Sequence, residues 1–319
     1  MNKKLYFFLL LLSNLVFIHG YAQNQKSFKV IPLGTKGGLD ESNLSAYLIA
    51  PIGSENFIAA DAGTIRHGID VAISNQLFKG PAGEVLKNNI KGYLVSHAHL
   101  DHIAGLIMNS PDDSKKNIYA FPSVIEVLRD KYFTWKAWAN FANEGEMPRL
   151  NKYTYVPLEA QVKKELTGTE MQVTAFPLSH GPGYESTAFL IGHQESSLLY
   201  LGDTGADEIE KNTQLEKLWK QVAPLILKNQ LKAIFIETSF SDKQPEDQLF
   251  GHLTPRLLMV ELTKLSKLTG VEALQKVSIV ITHIKAWDKE EAYLVNELKQ
   301  KNQLGLKLVF PEQGKYLEF

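Results

Sequence analysis

Cysteine is absent from the 319-residue sequence, which removes disulfides, thiolate nucleophiles and cysteine-ligated metal from consideration. Any metal site must therefore be built from His, Asp or Glu. Surplus charge is missing too: 34 Lys plus Arg stand against 35 Asp plus Glu, a formal net of −1, so there is no electrostatic footprint for nucleic acid. No repeat, low-complexity tract or proline-rich linker divides the chain. What is present, 44% hydrophobic residues with 16 Phe, 12 Tyr and 4 Trp, is enough to bury a substantial globular core.

The chain begins Met1-Asn2-Lys3-Lys4, followed by apolar runs Leu5–Leu12 and Leu15–Ile18 and small residues at Gly20 and Ala22. A basic start, a short apolar stretch and a small-x-small site are the three parts of a secretory signal peptide. The run is too short and interrupted for a membrane span. Cleavage after Ala22 is expected, which makes the mature protein exported, periplasmic or secreted, with no stable membrane span. Lys3 and Lys4 leave with it, so 32 basic residues then face 35 acidic ones, a net of −3.

Residues 23–319 read as one α/β domain, because short apolar runs alternate with helical patterns. Strands are expected at 28–33, 46–50, 57–61, 92–96, 171–178, 187–191, 197–202, 233–237, 277–282 and 306–310. Helices are expected near 101–108, 123–131, 213–227, 254–268 and 288–299. Ligands of α/β folds bind beyond the carboxyl ends of strands. Asp61, Ser96, Ser179, Asp203, Glu237 and His283 close or follow such strands, so metal-competent residues from distant positions converge on one sheet edge.

The densest segment is Ser96-His97-Ala98-His99-Leu100-Asp101-His102. His97 and His99, two apart after a strand, can point to the same side. Asp101 and His102 follow as a helix begins and aim elsewhere, so one segment can serve two metals. Imidazole and carboxylate suit zinc, with manganese and iron as alternatives.

His-x-His-x-Asp-His after a strand resembles the metallo-β-lactamase superfamily, an αββα sandwich with a dinuclear metal site. The longer run His97-Ala-His-Leu-Asp-His-Ile-Ala-Gly-Leu-Ile-Met-Asn-Ser-Pro111 resembles the signature of class II cyclic-nucleotide phosphodiesterases. The likeness continues through Ser179-His180-Gly181, Ser186–Ile191, Gly202-Asp203-Thr204, Glu237–Phe240, Gly251–Pro255 and Ile281–Lys285. It implies a metal-dependent 3′,5′-cyclic-nucleotide phosphodiesterase acting on cAMP or cGMP to give the 5′-monophosphate. It also implies two divalent ions: His97, His99 and His180 would hold one, Asp101, His102 and His283 the other, with Asp203 bridging. Two such ions about 3.5–4 Å apart share a hydroxide that serves as nucleophile at neutral pH.

In the related branch that trims transfer-RNA 3′ ends, a histidine oriented by a strand-end glutamate assists the leaving group. His252 and Glu237 resemble that pair, and a positioned imidazole can protonate a departing alkoxide. The other use of His252 is to cap or pack against the following helix. Asp61 matches an acidic position that orients a ligand histidine. Lys285 is either a phosphate contact or a solvated lysine, and Ala286 stands where the family often has proline. His67 reads as an exposed loop residue and His193 as a solvent-facing hairpin residue. Aromatics at 132–141, near helical spacing, either cover the site and stack on a purine or pack as an inserted helix or homodimer contact. The rival activities are a lactonase or a broader phosphodiesterase of the same superfamily, and, from another class, a metal-binding protein without turnover.

Overall fold

The computed structural model describes residues 26–286 and 288–319; the expected signal peptide lies outside the described residues. Two seven-stranded sheets form the molecule. The first runs β14(Leu317–Glu318)-β1(Phe28–Gly34)-β2(Ala46–Pro51)-β3(Phe57–Ala60)-β4(Ile90–Leu94)-β5(Lys116–Ala120)-β6(Tyr153–Pro157). The second runs β13(Lys307–Val309)-β12(Ser278–Thr282)-β11(Leu231–Glu237)-β10(Ser196–Leu201)-β9(Glu185–His193)-β8(Met171–Ser179)-β7(Lys163–Leu166). Each sheet has an antiparallel part and a parallel part, β3 to β6 in one and β10 to β13 in the other.

Period-two alternation divides each strand between two layers. Tyr47 and Ile49 of β2, Tyr200 of β10 and Phe235 of β11 fill the layer between the sheets, where Tyr47 lies 5.7 Å from Tyr200 and 5.6 Å from Phe235 between ring centroids. Leu48 of β2 faces outward, beneath Ile69 of the helix Arg66–Ser74 and Ile103 and Leu106 of the helix Leu100–Asn109. Ile234 and Ile236 of β11 face outward beneath Trp219 of the helix Gln214–Leu227, Leu262 of Pro255–Thr269 and Leu294 of Asp288–Lys301. The order helix, sheet, sheet, helix is the expected αββα sandwich. Burial on both faces also explains why these strands read as unbroken apolar runs.

The strands missing from the sequence reading are those whose chemistry hides them. β5 begins at Lys116, whose buried ammonium pairs with Asp113. β6 ends in Pro157 and β7 reads Lys-Lys-Glu-Leu with an exposed face, both as sheet edges allow. Strand β4 lies at 90–94 rather than 92–96, because Asp61 Oδ1 accepts the Ser96 amide at 2.8 Å and turns the chain away from the ladder. The helix Arg66–Ser74, which carries exposed His67, occupies a stretch read as loop. Its Gly68 sits where a Cβ would lie 2.2 Å from the Leu33 carbonyl oxygen.

The 132–141 segment is not a helix. After Pro122–Val127 the chain makes one wide turn over Leu128–Tyr132 and then continues irregularly, with Trp135 at φ +62°. Trp135 donates to the Pro148 carbonyl and Trp138 to Ser110 Oγ, so both indoles are tied to the outer layer. His193 is half-buried rather than solvent-facing: it closes β9, its Nδ1 is 2.8 Å from the Glu170 carbonyl and its ring meets Phe28 edge-on.

Candidate metal centre

Every residue singled out for the site arrives at one end of the two sheets. Asp61 follows β3, His97 and His99 follow β4, Asp203 follows β10, Glu237 ends β11 and His283 follows β12. His180 sits in the β8–β9 turn, and His252 just precedes the helix Pro255–Thr269. The shared edge arises because the parallel strands of both sheets end at the same rim.

Two clusters form there. His97 Nε2 and His180 Nε2 lie 3.1 and 3.3 Å from His99 Nδ1. His283 Nε2 lies 3.1 Å from Asp101 Oδ2, and His102 Nε2 lies 3.9 Å from it. Donor atoms within each of the groups His97–His99–His180 and Asp101–His102–Asp203–His283 lie within 4.8 Å of one another. One atom stands between them: Asp203 Oδ2 is 3.1 Å from His283, 3.3 Å from His102 and 3.8 Å from both His97 and His180.

The ring nitrogens facing away from the clusters are tied to named partners. Asp61 Oδ2 accepts from His102 Nδ1 at 2.8 Å, from Tyr200 Oη at 2.7 Å and from Ser96 Oγ at 2.9 Å. His97 Nδ1 is 3.0 Å from Ser96 Oγ, and His180 Nδ1 donates to the Gly251 carbonyl at 2.9 Å. His283 Nδ1 reaches Ser239 Oγ at 3.0 Å, and that hydroxyl donates to Glu237 Oε2 at 2.6 Å. The tautomers so set would present the inward nitrogens as lone-pair donors to a bound cation. Asp101 Oδ2 accepts the Gly38 amide at 2.8 Å.

Burial lowers His97 and His180, and burial with neighbouring His180 takes His99 down to about 4, so this cluster is uncharged at neutral pH. Burial opposes the charge on Asp203, yet His283 and His102 outweigh it and hold the carboxyl well below the usual range. His102 is raised despite its burial by Asp203, Asp61 and Asp101. These donor sets fit divalent cations. The clearest sign is His102 Nε2, buried without a geometrically formed hydrogen bond among the described residues yet facing Asp203 Oδ2 at 3.3 Å and Asp101 Oδ2 at 3.9 Å, a set of nitrogen and oxygen donors that a divalent cation would satisfy.

His252 lies beside the clusters. Its Nδ1 donates to Glu237 Oε1 at 2.8 Å and its ring stacks at 5.3 Å on His283. Lys285 is half-buried: its Nζ is 2.9 Å from His252 Nε2, and a cavity of about 260 Å³ lined by Ser239, Phe240, Ser241 and Lys285 opens alongside. The sequence reading missed Ser239 and Tyr184, whose ring stacks on His99. A hydroxyl next to a strand-end glutamate and a tyrosine after a Gly-Pro-Gly turn carry no local signature. Among the described residues no helix is long and apolar enough to cross a membrane.

The sandwich and its rim of histidines and aspartates define a protein of metallo-β-lactamase fold. Unliganded yeast PDE1 superposes with a TM-score of 0.82 at 22% identity, covering 92% of this chain and all of that one. The metallo-β-lactamase fold protein YhfI from Bacillus subtilis gives 0.61 at 16% identity, covering 92% of this chain and all of that one. Sequence narrows the class. The family model for class-II cAMP phosphodiesterases matches residues 81–314. A 3′,5′-cyclic-nucleotide phosphodiesterase of Aliivibrio fischeri is 40% identical over 317 aligned positions, covering 95% of this chain and 96% of the relative. The chain belongs to the class-II cAMP phosphodiesterases.

Proposed function

We propose that the protein hydrolyses 3′,5′-cyclic nucleotides, cAMP, cGMP or both, to nucleoside 5′-monophosphates. The site would hold two divalent cations, zinc first and manganese or iron as alternatives. His97, His99 and His180 would bind one, Asp101, His102 and His283 the other, and Asp203 both. The observation that carries this reading is the position of Asp203 Oδ2, within 3.8 Å of a ring nitrogen from each cluster, in a chain of this family. When bound, such a pair supplies Lewis-acid activation of water and neutralises charge on the phosphoryl oxygens.

The remaining work falls to the protein's own side chains. Asp61, Ser96, the Gly251 carbonyl and Ser239 hold the imidazoles in one tautomer and orientation. Glu237 holds the His252 proton on Nδ1 and raises the imidazole above its ordinary value, so that in the imidazolium form Nε2 carries a second proton to give to the departing 3′-oxygen. The Lys285 ammonium beside that edge stabilises negative charge as it develops there. His97, His102, His180, Asp203, Glu237, His252 and His283 are buried, which limits competition from bulk water for these contacts. On the signal-peptide pattern of residues 1–22, we place the enzyme outside the cytoplasm, where it meets a small-molecule substrate.

The test is a metal-reconstitution assay on cAMP, cGMP, a lactone and bis(p-nitrophenyl) phosphate. Protein carrying two equivalents of zinc or manganese is expected to cleave a cyclic nucleotide to its 5′-monophosphate, to lose activity on chelation and to be inactive as Asp203→Ala. Intact cyclic nucleotides beside turnover of the lactone would overturn the proposal. Bound metal with no ester hydrolysed would point to a binding protein.

A further inference from the structure

Five imidazoles face the two clusters, and four have the outward nitrogen tied to oxygen: His97 to Ser96, His102 to Asp61, His180 to Gly251 and His283 to Ser239. His99 differs. Its Nδ1 turns inward toward His97 and His180, the residue reaches solvent, and its Nε2 has no hydrogen-bond partner among the described residues. A ligand whose orientation nothing fixes would lose torsional freedom on binding a cation and weaken the site.

Tyr184 fills that place. Its ring lies flat on the His99 imidazole, 4.6 Å between centroids at an interplanar angle of 3°. The same ring meets His97 and His180 edge-on, each at 6.0 Å. It thus touches all three histidines of one cluster. Among the described residues it makes no ring contact with His102 or His283 of the other, which stack on each other instead.

The backbone that carries it is built for this. Tyr184 closes the five-residue turn between β8 and β9, with the His180 amide donating to the Tyr184 carbonyl at 3.0 Å and the Tyr184 amide to the Gly181 carbonyl at 3.3 Å. Gly181 at φ +87° and Gly183 at φ +73° take conformations that side chains resist. They bring the tyrosine back over His99, five residues past the end of β4.

We propose that Tyr184 is a positioning residue for the three-histidine cluster, replacing by aromatic stacking the hydrogen bond that His99 lacks. The proposal rests on the reading of His97, His99 and His180 as ligands of one cation. It makes the two cation sites separable, because only one of them is clamped this way.

The experiment is a zinc titration of the metal-free full-length protein against a chromophoric chelator, for the wild type, Tyr184→Ala, Tyr184→Leu and Tyr184→Phe. Loss of a partner that orients a ligand weakens metal binding by about tenfold or more. Tyr184→Ala and Tyr184→Leu should therefore raise one of the two dissociation constants about tenfold and leave the other unchanged. Tyr184→Phe, which keeps the ring face, should bind like the wild type. Proton NMR of the metal-free protein should place the His99 ring protons upfield under the Tyr184 face, and that shift should vanish in Tyr184→Leu. Two unchanged constants, equal weakening of both, or a phenylalanine variant as weak as alanine would each overturn the proposal. A wild type that binds no zinc while the ring-current shift persists would instead refute the two-cation reading. If the alanine variant fails to fold, the leucine variant carries the same comparison.

Discussion

The ammonium of Lys285 lies 2.9 Å from Nε2 of His252. On the proposed mechanism, that contact sets a cationic side chain beside the nitrogen that would face the leaving oxygen. Charge-assisted hydrogen bonds contribute about 1.5–3 kcal/mol. Lys285→Met should therefore lower kcat/KM by roughly ten- to a hundredfold, with the thermal midpoint within a few degrees of the wild type. Steady-state kinetics with differential scanning calorimetry check this, and unchanged kcat/KM would remove Lys285 from the reaction.

On the proposed mechanism, Glu237 should set the alkaline limb of activity. Burial opposes charge on His252, but Glu237 outweighs it, and the imidazole is raised above its ordinary value of 6.5. The protonated form that would serve as acid is present below that raised pKa and disappears as pH climbs through it. Glu237→Gln keeps an acceptor for Nδ1 but loses the charge, so the alkaline limb of the kcat/KM profile should move to lower pH. A limb that stays in place would assign it to another group.

Gly37 keeps room for His283. A Cβ at this position would lie 2.3 Å from His283 Cε1, and the ring cannot swing aside because it stacks between His102 at 5.0 Å and His252 at 5.3 Å. Gly37→Ala should weaken the cation site of Asp101, His102 and His283 by at least about tenfold and spare the three-histidine site, the mirror image of the Tyr184 variants. Chelator-competition titration resolves the two constants.

Stability rests partly on a buried charge remote from this chemistry. Asp113 accepts from Tyr93 Oη at 2.6 Å and Tyr153 Oη at 2.8 Å and pairs with Lys116, whose side chain is 1% exposed. Lys116→Met strands the carboxylate and should cost about 3–5 kcal/mol, read from urea unfolding. Adding Asp113→Leu should recover part of that loss. A single variant as stable as the wild type would mean that Asp113 takes up its proton at no cost.

Legibility tracked burial. Strands covered on both faces, such as β1, β2, β10, β11 and β12, announce themselves as apolar runs, and the structure finds them within two residues of the expected bounds. The edges β6, β7 and β14 carry too little buried area to leave a pattern, and β5 hides behind a buried Lys116 that no local rule anticipates. The 132–141 aromatics mimic helical spacing, yet their indoles are spent on Pro148 and Ser110.

What the sequence by itself determined was the chemistry of the site. With cysteine excluded, histidines and carboxylates at the ends of apolar strands were the candidate donors for any metal, since parallel strands of one layered fold end at a common rim. Tertiary structure alone decided how those donors are held. It placed Asp203 Oδ2 between the two clusters, tied Glu237 to His283 through Ser239, set Lys285 against His252 and laid Tyr184 on His99. Each of these contacts joins residues brought together by the packing of separate strands and loops. Local spacing encodes which donors a segment offers, but their mutual orientation depends on the angle and register at which two sheets meet.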